Sequence, residues 1–135
     1  MDIQFINYKE WGIKPKGFDI YINQLKKHVD NADGILNVVF VNDSYIKGLN
    51  KQYRKKNKPT DVLSFSYLDE DTGLIGEVYI SVETAKKQAK KAKHSLQDEL
   101  NKLFIHGFLH IFGFDHESKE DAKIMEDLEG EVLCV

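Results

Sequence analysis

Residues 106–116 read His-Gly-Phe-Leu-His-Ile-Phe-Gly-Phe-Asp-His and hold three of the chain's five histidines. His106 and His110 are four residues apart, so on a helix their imidazoles stand one turn apart on the same face. Gly113 falls where such a helix should end, and glycine takes the left-handed conformation that closes a helix and reverses the chain. His116, three residues further on, can then return as a third ligand. Three neutral imidazoles suit one Zn²⁺ ion and leave a tetrahedral position open, the pattern of a catalytic rather than a structural site. Water in that position gives up a proton near neutral pH and becomes a nucleophile. The spacing is close to that of metzincin proteases, whose helix carries a glutamate after the first histidine as general base. Here that position is Gly107, so the metal site lacks the proton shuttle that peptide hydrolysis needs.

Neither His28 nor His94 has such company, and both read as surface or packing residues. Asp115 is adjacent to His116 and is expected either to orient a histidine or to shape the turn. Cys134 is the single cysteine, which excludes an intrachain disulfide and fits a reducing compartment.

The elements that must position the histidines are visible in the hydrophobic pattern. Runs rich in Val, Ile, Phe and Tyr at Ile3 to Ile6, Leu36 to Val41, Val62 to Tyr67 and Ile75 to Ile80 predict four strands. Helical spacing links Phe18, Ile22, Leu25 and Val29, and then Ile46, Leu49 and Tyr53 behind a cap at Asn42 or Asp43. Ser81 can cap a helix whose stripe of Ala85, Ala89 and Ala92 packs inward. Ser95 through Asp98 resembles a capping box, and Leu96, Leu100, Leu103, Phe104, Phe108 and Ile111 continue it as the strongest helical face in the chain. A last helix begins near Ser118 and packs through Ile124, Met125, Leu128 and Val132. The reading is α/β (α+β): a single mixed sheet of about four strands layered with about five helices, with the metal site at the end of a helix. At 135 residues the chain fits one domain spanning 1–135.

The net charge of −3 conceals segregation. Lys47, Lys51, Arg54, Lys55, Lys56 and Lys58 follow one another with no acid between them, and Lys86, Lys87, Lys90, Lys91 and Lys93 form a second basic stretch. Lysine runs are commonly just solvated helix faces. Beside a metal site they instead favour a polyanion, because screening makes near charges outweigh distant ones. The apolar runs are far too short to span a membrane, and the first residues lack the features of a secretory signal, so a cytoplasmic protein is expected.

These residues also carry a resemblance. His-Gly-x-Leu-His-x-x-Gly-x-Asp-His over His106 to His116 resembles the hallmark of the YbeY family, metal-dependent endoribonucleases of bacterial ribosomal RNA maturation. The resemblance extends to Leu49-Asn50, to Tyr53-Arg54, to Pro59 through Phe65, to Ile75 through Val78 and to Glu99-Leu100. It implies a zinc-type ion on His106, His110 and His116 and a need for Arg54 in RNA cleavage, with Lys51, Lys55, Lys56 and Lys58 neutralising RNA phosphates around it. A metal and a guanidinium together suit the charge that builds on phosphoryl oxygens. Glu77 stands where relatives often carry aspartate after the glycine, and it is a candidate to orient a ligand or take a proton. The implied function is single-strand-specific cleavage in small-subunit ribosomal RNA processing and ribosome quality control, with precursor RNA and the small ribosomal subunit as partners. The alternatives are a metzincin-like protease or other metal-dependent hydrolase, and a non-catalytic assembly factor. The sequence leaves the oligomeric state open.

Overall fold

Each of the four longer helices starts at a small polar residue whose side chain accepts a hydrogen bond from a backbone N–H three residues on. These caps are Asn42 for α2 (Asp43–Arg54), Ser81 for α3 (Val82–Ala92), Ser95 for α4 (Leu96–Ile111) and Ser118 for α5 (Lys119–Leu133). The computed structural model describes residues 1–30 and 32–134. Its strands are β1 (Asp2–Ile6), β2 (Ile35–Val41), β3 (Val62–Ser66) and β4 (Leu74–Ser81), each where the alternating apolar pattern predicts one.

The strand order is β1-β2-β4-β3, with β1 and β4 parallel to β2 and β3 antiparallel to β4, so the sheet is mixed. β3 is an edge strand, and this position matters for the site. α4 lies across β3 and β4 and touches α3 and α5, while α2 contacts β3 and β4 from the other side of the sheet. The main core forms between α4 and the sheet, where Phe5, Phe18, Phe40 and Phe104 stack at centroid distances of 5.1 to 6.4 Å. Burying Phe18, Phe40 and Phe104 fully is worth roughly 1.5–3 kcal/mol each, so α4 is fixed mainly by its apolar face.

The first helix is shorter than its apolar spacing predicts. α1 covers only Asp19–Leu25, and Phe18 sits in the preceding 3₁₀ turn (Pro15–Phe18). Beyond Leu25 the chain tightens into three-residue turns, with Lys27 N–H bonding Gln24 O and His28 N–H bonding Leu25 O. Phe18 and Leu25 are fully buried nonetheless, so the apolar spacing reports the packing face correctly and the helix length incorrectly.

The candidate metal centre and its surroundings

α4 ends as its sequence requires. Phe114 N–H bonds Leu109 O and Gly113 N–H bonds His110 O, with Gly113 at φ +95°, which is a Schellman closure on a left-handed glycine. The reversal returns His116 to the two histidines of the helix. One ring nitrogen from each of His106, His110 and His116 lies within 4.8 Å of the others. His106 Nε2 and His110 Nε2 are 3.1 Å apart. Two nitrogens on one tetrahedral zinc are about 3.3 Å apart, so this pair already stands close to the spacing such an ion sets.

Local electrostatics keep His110 in its binding form. Burial lowers the His110 pKa from 6.5 to about 4, helped by the neighbouring His106 and His116 and by the positive charge of Arg54, with Glu129 opposing. His106 Nδ1–H donates to Glu129 Oε1 at 3.3 Å, which leaves the lone pair on Nε2, the nitrogen that faces His110. Glu129 was not singled out from the sequence. It lies next to Leu128 and one turn after the buried Met125, on the rim of the α5 packing face, and that position was the available signal. Asp115 instead shapes the turn, where its carboxylate accepts from Glu117 N–H at 3.2 Å.

Three expected results follow. Glu129→Ala should weaken metal binding about 10–100-fold without altering the fold, measured by competition with a chromophoric chelator. In chelator-treated protein, the unfolded state takes up the His110 proton near pH 6.5 and the folded state only near 4. Its thermal midpoint should therefore fall as the pH drops through that interval. Arg54→Ala should raise the His110 pKa in an NMR titration, because one of the charges that oppose protonation is gone.

Arg54 closes the last turn of α2 together with Lys51, and Lys55 follows in the left-handed conformation at φ +58°. The buried Asn50 amide donates to Lys58 O at 2.9 Å and staples this basic turn, so Lys51, Arg54, Lys55, Lys56 and Lys58 project together into solvent. The turn lies near the histidines, since the Arg54 charge is felt at His110.

Glu77 is kept apart from them. Its neighbour Val78 faces α4, so the pleat turns Glu77 to the opposite face of the sheet. There its carboxylate accepts from Tyr67 Oη at 3.1 Å and from Tyr79 Oη at 3.2 Å. Burial and the Glu77 charge push both hydroxyls up, so they remain protonated donors. His94 is paired with the buried Glu99 at 2.7 Å, and His28 is exposed.

Gly107 has a packing reason. A Cβ there would lie 2.6 Å from Val78 Cγ1, 3.0 Å from Ser64 Oγ and 3.2 Å from Val62 Cγ2. Ser64 Oγ–H donates to Gly107 O at 2.9 Å across the same contact. The position after His106 thus faces the sheet. Among the described residues, no helix is long and apolar enough to cross a membrane.

The chain is 46% identical over 116 residues to endoribonuclease YbeY of Pelotomaculum thermopropionicum, covering 81% of this chain and 76% of that protein. It is 35% identical over 134 residues to endoribonuclease YbeY of Acholeplasma laidlawii, covering 98% of this chain and 95% of the relative. The solution structure of a Thermotoga maritima protein superposes with a TM-score of 0.62 at 31% identity, covering 96% of this chain and 88% of the other. The family model described as endoribonuclease YbeY matches residues 14–134, which contain every element from α1 to α5, and the chain belongs to that family.

Proposed function

We propose that this chain, acting as one domain over residues 1–135, cuts single-stranded RNA at a centre of one zinc ion held by His106, His110 and His116. The observation that carries the proposal is the convergence of three imidazoles beside an arginine whose charge is felt at one of them. When bound, the ion supplies Lewis acidity, which activates water and offsets charge developing on phosphoryl oxygens. Arg54 offers paired N–H donors to those same oxygens. Lys51, Lys55, Lys56 and Lys58 hold the RNA backbone by neutralising its phosphates and so fix its register. Glu129 orients His106. Glu77, engaged by two tyrosine hydroxyls on the other face of the sheet, takes no reacting role.

The substrate we infer is precursor RNA of the small ribosomal subunit, met in the cytoplasm during ribosomal RNA maturation and quality control. Family membership supports this reading, as does the free basic turn on an otherwise acidic chain. Peptide hydrolysis is disfavoured by the packing of Gly107, which leaves no room for a carboxylate after the first histidine.

The test uses the full chain with one equivalent of zinc, a single-stranded RNA, the same RNA annealed to its complement, and casein. Cutting of the single strand alone, stopped by chelation and restored by zinc, is the expected result. RNA cutting that persists in chelated protein, or casein cleavage, would overturn the proposal. RNA binding without any cutting would make the chain a non-catalytic assembly factor.

A further inference from the structure

The face of α4 that carries His106 continues toward the start of the helix as one wall of an open cleft of about 500 Å³. Small-ligand pockets span roughly 300–1,000 Å³, so the cleft is large enough for a single ligand. α4 contributes Glu99, Lys102 and His106 to it, α3 contributes Gln88 and Lys91, α5 contributes Glu129, and Asp61 closes the end before β3.

The carboxylates in this cleft are already engaged. Asp61 accepts from Val62 N–H at 2.8 Å and from Gln88 Nε2 at 3.3 Å. Glu99 is paired with His94, and Glu129 with His106. They do not converge as a second cation site, since the three histidines are the only such group among the described residues. Lys91 and Lys102 are exposed, and neither has an ion-pair partner among the described residues. The cleft therefore presents two free ammonium groups to whatever enters it.

Lys91 also stands out within its own run. Lys86 lies 5.5 Å over the Trp11 ring and Lys87 bonds Asp43, whereas Lys91 faces the cleft. Lys102 lies one turn of α4 before His106, about 6 Å along the axis. That step is comparable to the spacing of successive backbone phosphates.

We propose that this cleft is a subsite for the RNA nucleotide next to the scissile phosphate, with Lys91 and Lys102 binding its phosphate. The inference rests on the endoribonuclease reading above and extends it. The RNA strand then crosses the histidines between two basic walls, the Lys51 to Lys58 turn on one side and Lys91 with Lys102 on the other. Gln88, Asp61 and Glu129 supply polar edges that an unpaired base can meet, and a base held in a duplex cannot enter.

The test is fluorescence anisotropy of a labelled single-stranded oligouridylate on the full chain, with chelator present so that the RNA is not cut. Lys91→Ala/Lys102→Ala is compared with wild type and with Lys16→Ala/Lys27→Ala, which removes the same charge outside the cleft. The slope of log affinity against log salt falls by about 0.7 for each single-strand phosphate neutralised, so loss of the cleft pair, which shares one phosphate, should lower it by about 0.7. The control pair should leave the slope near the wild-type value. With zinc restored, the cleft pair should raise KM for RNA at an unchanged kcat, and Lys102→Glu should raise it further. Thermal melts check that the variants fold, which the exposure of both lysines favours. Equal slopes and equal KM for the two pairs, in an enzyme that cuts RNA, would overturn the subsite alone. A wild-type chain that neither binds nor cuts single-stranded RNA would overturn both the subsite and the reading beneath it.

Discussion

His110→Ala is expected to empty the metal site and abolish RNA cleavage, whereas Arg54→Ala should lower kcat by about 10²–10³-fold with one zinc per chain retained. The two losses differ because the residues act on different partners. His110 contributes one of three nitrogens that lie within 4.8 Å of each other, and no fourth group joins them among the described residues. Without it two ligands remain, too few to hold a tetrahedral zinc site. Arg54 is exposed and has no ion-pair partner among the described residues, so its loss should disturb no structure while removing the donor that the proposed reaction assigns to the phosphoryl oxygens. Arg54→Lys separates charge from geometry. The lysine keeps a positive charge near His110, so the His110 titration should stay close to wild type. It cannot reproduce paired hydrogen bonding to a phosphoryl group, so most of the rate loss should remain. Zinc content by mass spectrometry of metals, with single-turnover RNA cleavage, distinguishes these outcomes. An Arg54→Ala chain with full zinc and full activity would remove the arginine from the reaction.

Much of this arrangement was legible in the sequence because it depends on local chain geometry. The strands follow from period-two alternation and the caps from single polar residues ahead of apolar helical faces. His106, His110 and Gly113 were legible for the same reason: a four-residue step and a helix-ending glycine are properties of a short stretch. α1 was overextended because apolar spacing marks which side is buried, and a run of three-residue turns can bury the same side. Glu129 and Lys102 were not legible. Glu129 reaches His106 across 23 residues, and its partner is set by how α5 packs on α4. Lys102 belongs to no basic run and gains its setting only from α3 beside it. The surroundings of Glu77 were not legible either: its carboxylate bonds Tyr67 and Tyr79 on the face of the sheet away from α4, a setting fixed by one step of the pleat.

Gly107→Glu, which writes the protease glutamate into the helix, should unfold the protein or destabilise it by several kcal/mol, and no peptide hydrolysis should result. Glycine inside a helix costs about 1 kcal/mol relative to alanine, so on propensity alone any substitution at Gly107 except proline would help. Packing opposes this and is larger. The first added carbon would meet Val78 Cγ1 at 2.6 Å. Val78 is fully buried on β4, a strand paired on both sides, so neither its stiff side chain nor its backbone can withdraw cheaply. Overpacking of this kind costs typically 1–3 kcal/mol. Glutamate adds a carboxylate with no partner against the sheet, and moving the helix away would break the Ser64 bond to Gly107 O. Gly107→Ala should show the packing cost alone, and urea unfolding of the two variants beside wild type measures the difference. A folded Gly107→Glu chain that cleaves casein would refute the packing account. The histidine spacing alone cannot tell a protease from a nuclease; the face turned by the residue between the ligands can. Here the sheet occupies that face, so position 107 has no room for a proton shuttle.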